Sequence, residues 1–579
     1  MTEQRKTTIK YEISFIEPQA HYAEVTLTLN GFETDFLDLK MPVWTPGSYL
    51  VREFSRHVEG FHTETSDAAS IQHEKISKNT WRIFNNGKNA VVKYRLYGFE
   101  TSVRTNFIDD SHAFISPAGT FFYVDGLIDH ASTVHIDLPG YWTKISTGLP
   151  EIEHHTFKAE NFDILYDSPF EIGNQDVWTI DCNGIPHEFA MVGGGNYDKD
   201  QLTADVQKIV AEETRIWGSN PNDRYVFVTH NYQQAYGGLE HLNSTILASS
   251  RNAYQQKLSY NNYLTLVAHE YFHLWNVKRL RPAPLGPFDY EQENYTSLLW
   301  IMEGFTSYYD NLITYRCDFR DEEDYLQTLA QEFNLVYNRP GYALQSAGLS
   351  SFDTWIKQYR PDENSANTSI SYYNKGAILS VALDLKIIAE SKGEKRLDDV
   401  LKAAYEQFYL KEQRGFEEAE FQALAEEVSG VDLSEIFRAV YANGELDYNK
   451  YFNSVGYELI DLLAENKTLS LGIRTANNDT RIIIKGVDRN SSAWKAGLNV
   501  NDEIIGINGV RLDPAGRELE QVLQHGELGQ IIEILIARDG IIRTIAVPLA
   551  YSDKKSIQIR RNTSAKEAEK VLGKLWLKR

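Results

Sequence analysis

The stretch "LVAHEYFHLWNVKRLRP" (residues 266–282) holds His269, Glu270 and His273 in the spacing H-E-x-x-H. On a helix, residues four apart share a face, so His269 and His273 can offer two imidazoles to one ion. Glu270 projects beside them, within reach of a water at that ion. Two histidines on an amphipathic helix also arise by chance in a long chain, so the motif must be read with the rest of the sequence.

A catalytic zinc takes three protein ligands and keeps one position open. The candidate for the third is Glu303 in "SLLWIMEGFTSYYDNL" (297–312), where apolar and aromatic residues surround one glutamate and a glycine. A carboxylate in such a face is costly unless it binds something. The alternative is a glutamate that snorkels or is hydrogen-bonded. The segment between, "VKRLRPAPLGPFDYEQENYT" (277–296), reads as a loop joining two antiparallel helices. Asn276, Thr306 and Ser307 are close enough in sequence to be outer partners of the ligands.

The chain of 579 residues is long for one domain, and 42% apolar with 24% charged residues is ordinary globular composition. A formal charge of −23, from 58 basic and 81 acidic residues, disfavours a nucleic-acid partner, because phosphate binding needs a positive footprint. Cys182 and Cys317 lie far apart and form no disulfide framework. The polar start "MTEQRKTTIKYEISF" has no apolar leader core, and the most apolar helical run, "AILSVALDLKII" (377–388), is broken by Asp384 and Lys386. The expectation is a soluble, cytoplasmic protein without a membrane span.

Residues 1–175 alternate like strands, with Ile9, Tyr11, Ile13 and Phe15 on one face and Val25, Leu27 and Leu29 on another. They read as a β-sandwich-like domain. Near residue 200 the period becomes helical (Leu202, Val206, Ile209, Val210), and "RYVFVTH" (224–230) follows as a buried strand. Helices are predicted around 262–278, 298–316, 372–392 and 396–410. The polar, Pro/Gly-punctuated span 337–371 reads as a long surface loop. Short strands and glycines return over 457–552, and the basic tail 553–579 reads as a solvated, helical end.

With these segments in view, the chain resembles the gluzincin metallopeptidases, and within them the glycyl aminopeptidase family (family sixty-one), whose members often carry a C-terminal PDZ domain. The resemblance runs from "PVWTPGSYLVREFSRHV" (42–58) to the C-terminal module. It implies a multidomain α+β architecture. An N-terminal β-sandwich-like domain (1–175) precedes a thermolysin-like catalytic domain (176–456) with an α/β lobe and a helical lobe. A PDZ domain (457–552) and the tail (553–579) follow.

The resemblance also implies roles. "AYGGLEHLNST" (235–245) is similar to the G-x-M-E-N edge strand of aminopeptidase gluzincins, with Leu239 and His241 in place of methionine and asparagine. It gives Glu240 the substrate's free α-amine, with Gly237 and Gly238 letting the peptide backbone approach. "ISYYNKGAILSVALDL" (370–385) resembles the Y-x-K-G-A start of a helix carrying a catalytic tyrosine, which selects Tyr373, with Tyr372 as its neighbour. A phenol can donate to an oxyanion without adding charge. In the last module, Ser470, Leu471, Gly472 and Ile473 stand where PDZ domains keep their carboxylate-binding loop. "SSAWKAGLNVNDEIIGINGV" (491–510) matches the core of bacterial PDZ domains with Asn501 where glycine is usual. "WTPGSYLVR" (44–52) looks family-typical and reads as a tight turn packing at a domain interface.

The expected function is removal of N-terminal residues, small ones such as Gly or Ala, by an enzyme with one Zn²⁺ per chain. His269, His273 and Glu303 would be ligands, Glu270 the base and Tyr373 the oxyanion donor. Partners would be peptides with a free N-terminus and a C-terminal peptide at the PDZ module. The rivals are a zinc endopeptidase with PDZ-assisted recruitment and a non-catalytic PDZ-bearing binding protein.

Overall fold

Ile9, Tyr11 and Ile13 are buried while Lys10 and Glu12 between them face solvent, and the neighbouring strand Tyr22–Asn30 alternates in the same way. The computed structural model describes residues 7–443, 446–465, 467–477, 480–513 and 515–577. The chain divides into two compact units. One comprises Met1–Thr296, Ile313–Arg320 and Leu401–Glu418, the other Ser297–Leu312, Asp321–Val400 and Ala419–Arg579.

In the first unit, the two alternating strands sit inside a seven-stranded sheet running from Glu151–Glu153 at one edge to Val58–Thr65 at the other. Two four-stranded sheets accompany it. Val25 and Leu27 of the large sheet, Leu39 and Ile83 of one small sheet, and Ile115 and Ile172 of the other share one core. Each such side chain contributes about 1.5–3 kcal/mol when fully buried. This is the sandwich that the period-two pattern implied.

A second sheet follows in the same unit. Its strands are β1 (Asp176–Cys182), β2 (Ile185–Val192), β3 (Tyr225–Tyr232), β4 (Gly237–Glu240) and β5 (Ser244–Ser250), in the order β1-β2-β3-β5-β4. β2, β3 and β5 are parallel, and β4 is an antiparallel edge strand with Glu240 opposite Thr245. Helix α1 (Lys199–Trp217) makes the crossover from β2 to β3 and buries Leu202, Val206, Ile209 and Val210. Asp198 caps its start by accepting from the amides of Asp200 and Gln201. Helix α2 (Lys257–Phe272) carries H-E-x-x-H and ends at Phe272. It is therefore shorter at its C-terminal end than the expected 278.

The second unit contains helices α3 (Leu299–Arg316, whose last residues from Ile313 belong to the first unit), α4 (Glu322–Tyr337) and α5 (Tyr372–Glu390), and α4 packs on α5. The expected surface loop over 337–371 is partly helical and partly buried. Short helices at Pro340–Ala343, Ala347–Phe352 and Ser365–Thr368 punctuate it, and Gln345, Ala347, Ser351, Thr354 and Trp355 are buried. Their polar groups are satisfied locally, as where Ser350 Oγ donates to the Ile370 carbonyl at 2.7 Å, which is why polar composition misled.

The C-terminal module is a six-stranded sheet around Ile484, Ile504, Ile534, Ile536 and Val547. Asn501 has φ +71°, the left-handed conformation that glycine usually supplies and asparagine tolerates. Strands Tyr457–Asp461 and Ile557–Arg561 pair with each other outside this sheet. The described end of the chain is helical, as expected, but only its charged face is solvated. Helix Glu567–Leu577 buries Trp576, whose indole donates to Tyr308 Oη at 2.9 Å. The apolar stripe outweighs the basic composition there. Cys182 and Cys317 are both buried. Among the described residues, no helix is long and apolar enough to cross a membrane.

Candidate active site

Helix α2 ends where the chemistry begins. His273 takes the C-cap position, and its ring Nδ1 lies 2.7 Å from the Asn276 carbonyl oxygen. A carbonyl only accepts, so Nδ1 carries the proton and Nε2 presents a lone pair. That Nε2 lies 3.2 Å from Nε2 of His269. Two zinc–nitrogen bonds of about 2.0–2.1 Å at a tetrahedral angle put their nitrogens about 3.3 Å apart, so the pair fits the ion. The chain reverses just beyond, with Val277 at φ +118°. A β-branched residue there is strained, and the reversal aims the Asn276 carbonyl at His273. Of the three suggested outer partners, Asn276 acts through its backbone, and the Thr306 hydroxyl donates to the Met302 carbonyl of its own helix.

Glu270 is buried and lies against the edge strand. A Cβ on Gly238 would fall 2.2 Å from Glu270 Oε1. The space left by the missing side chain is thus filled by this carboxylate. Gly237, at φ +146°, is open on its Cβ side and uses a conformation that favours glycine. Arg104, from the sandwich domain, donates to the Gly238 carbonyl at 3.1 Å and holds the strand in place.

Glu240 ends that strand at 4% exposure, and its Oε1 is sealed without a hydrogen-bond partner among the described residues. One ligand atom from each of Glu240, Glu270 and His273 lies within 4.8 Å of the others. The next residue, His241, is pinned from behind. Asp167 accepts from His241 Nδ1 at 3.0 Å and from the Leu242 amide at 2.8 Å, and lies 2.7 Å from Lys278 Nζ. Burial pushes the Asp167 carboxyl up, but Lys278 and His241 outweigh it and hold it below the usual range.

Gly47 also reaches Glu240. A Cβ on Gly47 would lie 2.6 and 2.7 Å from the two Glu240 carboxylate oxygens. The "WTPGSY" turn, read from sequence as interface packing, is therefore a neighbour of the expected amine anchor. The segment was visible as a motif; its place was not, because nothing local encodes a contact 193 residues away in sequence (240 − 47). Arg104 gave no local signal at all.

In the second unit, Glu303 sits on α3 at 2% exposure. Gly304 beside it meets Gly376 of α5 so closely that a Cβ on Gly304 would lie 2.4 Å from the Gly376 Cα. The first turn of α5 then carries Tyr372 and Tyr373. Tyr372 is fully buried with its hydroxyl 3.0 Å from Thr354 Oγ1, whereas Tyr373 keeps partial exposure. Burial first, and then the nearby Glu303 carboxylate, push the Tyr373 phenol above its ordinary value. It remains a neutral donor near neutral pH.

In the C-terminal module, Ser470 closes a short strand, Leu471 is buried and Ile473 opens the outermost strand of the sheet. Gly472 has φ +74°, and its amide already donates to Ser470 Oγ at 3.0 Å.

Comparison with known proteins finds similarity along most of the chain. Residues 10–174 match the Peptidase M61 N-terminal domain, residues 262–379 the M61 glycyl aminopeptidase domain and residues 470–549 a PDZ domain. The crystal structure of an aminopeptidase N family protein from Idiomarina loihiensis matches with a TM-score of 0.91 at 29% identity, over 99% of this chain and all of that one (100%). Two segments of the chain thus match the M61 peptidase family, the second of them its glycyl aminopeptidase model. The chain is a peptidase with a C-terminal PDZ domain. An M1 zinc metallopeptidase from Deinococcus radiodurans is a more distant match, with a TM-score of 0.48 and 11% identity over 77% of this chain and 96% of that one. A search of curated proteins found no match.

Proposed function

We propose that this protein is a zinc aminopeptidase of the M61 type that removes N-terminal residues, preferring small ones such as glycine and alanine. The observation that carries the reading is Glu240. A buried carboxylate whose Oε1 has no partner among the described residues is costly, and an ammonium group from a ligand relieves that cost.

His269, His273 and Glu303 hold the ion. Support for the pair comes from the converging Nε2 atoms, and for Glu303 from its burial in an apolar helix. When bound, zinc supplies Lewis-acid polarisation of the scissile carbonyl and activation of water. Glu270 takes the proton from the attacking water and passes it to the leaving amine. Tyr373 donates to the developing oxyanion. Glu240 pairs with the substrate's α-ammonium, so the first peptide bond is the one presented. The preference for small residues rests on the family's description as glycyl aminopeptidases. The loop Ser470 to Ile473 receives a peptide's terminal carboxylate, with Ile473–Asn477, the outermost strand of its sheet, open to an added strand.

Hydrolysis of glycyl and alanyl anilides, measured on purified protein before chelation, after it and after zinc return, tests the reading. Activity that falls with the metal and returns with one zinc per chain is expected. Turnover that survives complete metal removal would refute it.

A further inference from the structure

The turn at Thr45 to Ser48 is not used by the catalytic roles above, yet it touches Glu240. It is also firmly held. The Ser48 amide donates to the Thr45 carbonyl at 3.1 Å, and the Arg52 guanidinium donates to Ser48 Oγ at 3.1 Å. Flanking Trp44 and Tyr49 are buried at 0% and 2% exposure. The Trp44 indole donates to the Asp289 carbonyl at 2.7 Å, and the Val43 amide to the Tyr290 carbonyl at 2.9 Å. The turn is thus fastened to the chain that follows H-E-x-x-H.

At its tip, Gly47 has φ +81°, which side chains rarely adopt. Its missing Cβ would strike both Glu240 oxygens, at 2.6 and 2.7 Å, and Leu239 Cδ1, at 2.7 Å. Backbone packed this closely on a carboxylate has two effects. It keeps the side chain from swinging away from Glu270 and His273, and it removes water from one side of the charge, which strengthens pairing with an incoming ammonium. It also leaves no room for atoms attached beyond that ammonium.

We propose that the Pro46–Gly47 turn is the back wall of the amine site, with Gly47 a positioning residue that limits the enzyme to substrates ending in an unsubstituted α-ammonium. This rests on the reading of Glu240 as amine anchor. The ligand class it selects is a peptide N-terminus free of acyl or further residues.

The test compares Gly47→Ala, Pro46→Ala, Glu240→Asp, Glu240→Ala and the Gly47→Ala/Glu240→Asp double variant on an alanyl anilide, with zinc content and circular dichroism checked for each. Gly47→Ala is expected to raise KM about 10- to 100-fold with kcat little changed, as for an ångström-scale misplacement of a binding group. Because the shorter aspartate makes room for the new methyl, the double variant is expected to lose less than the product of the two single losses. An unchanged KM in Gly47→Ala, or losses that simply multiply, would overturn the proposal. If Gly47→Ala does not fold, Pro46→Ala carries the test: a KM rise supports the wall and an unchanged KM refutes it. An unchanged KM in Glu240→Asp together with Glu240→Ala would instead refute the amine anchor itself.

Discussion

Gly304 and Gly376 meet backbone to backbone. A Cβ on Gly304 would lie 2.4 Å from the Gly376 Cα, and one on Gly376 would lie 2.5 Å from the Trp300 carbonyl oxygen. This crossing sets Glu303, one residue before Gly304, near Tyr373, three before Gly376, so neither glycine can gain a side chain without disturbing the proposed ligand and the proposed oxyanion donor. Gly376→Ala is expected to destabilise the protein by about 1–3 kcal/mol, the range for overpacking a close-packed contact. A thermal melt reads the loss, and zinc content should fall as Glu303 shifts. An unchanged Tm would show that the helices separate at little cost.

Glu270 lies against Gly238 with no space for a side chain between them. Glu270→Gln keeps the shape and removes the proposed base. It is expected to bind zinc as the wild type does and to lose about 10²–10⁴-fold in kcat, the usual contribution of general base catalysis. Metal analysis and steady-state kinetics on the same preparation check both halves.

The two adjacent tyrosines separate by burial. Tyr373→Phe is expected to lower kcat about 10²–10³-fold with little change in KM, as when one oxyanion donor is removed. Tyr372→Phe gives up the contact with Thr354 and is expected to cost about 1 kcal/mol of stability while keeping most activity. The reverse pattern would move the catalytic role to Tyr372.

His112, Glu171 and His230 form a cluster joining the sandwich to β3, with Glu171 2.8 Å from a ring nitrogen of each histidine. Burial works against charge on His112, but Glu171 outweighs it and raises the histidine above 6.5. Burial likewise pushes Glu171 up, and His112 and His230 outweigh that and lower it below 4.5. A raised histidine adds stability that is full below 6.5 and lost as pH rises through its folded value. A lowered carboxyl adds stability that is present above 4.5 and lost as pH falls through its folded value. The Tm gap between wild type and Glu171→Gln should therefore be widest at about pH 5–6 and narrow toward about pH 9. A gap independent of pH would contradict the assignment.

Much of this was legible locally. Alternation placed the sandwich core through Ile9, Tyr11 and Ile13, and helical spacing placed α1 and the H-E-x-x-H helix, because burial of one face dictates those periods. The fold class and the peptidase family followed from motifs in the same segments. Long-range placement was not legible. The polar span 337–371 hides buried serines and threonines bonded to nearby backbone, and the basic tail hides Trp576. Composition reports average polarity, whereas burial depends on which partners are satisfied. Gly47 and Arg104 act on Glu240 and Gly238 from another domain, and only tertiary structure brings them there.

If Glu240 holds the substrate's α-amine, this metallopeptidase reads a free N-terminus. The most direct test is kcat/KM for an alanyl peptide and its N-acetylated counterpart, measured with zinc-loaded wild type and Glu240→Ala. Wild type is expected to cleave the free peptide and leave the acetylated one intact, and Glu240→Ala to lose most of its activity on the former. Equal cleavage of both peptides by wild type, or a Glu240→Ala enzyme that still prefers the free amine as strongly, would contradict that role of Glu240.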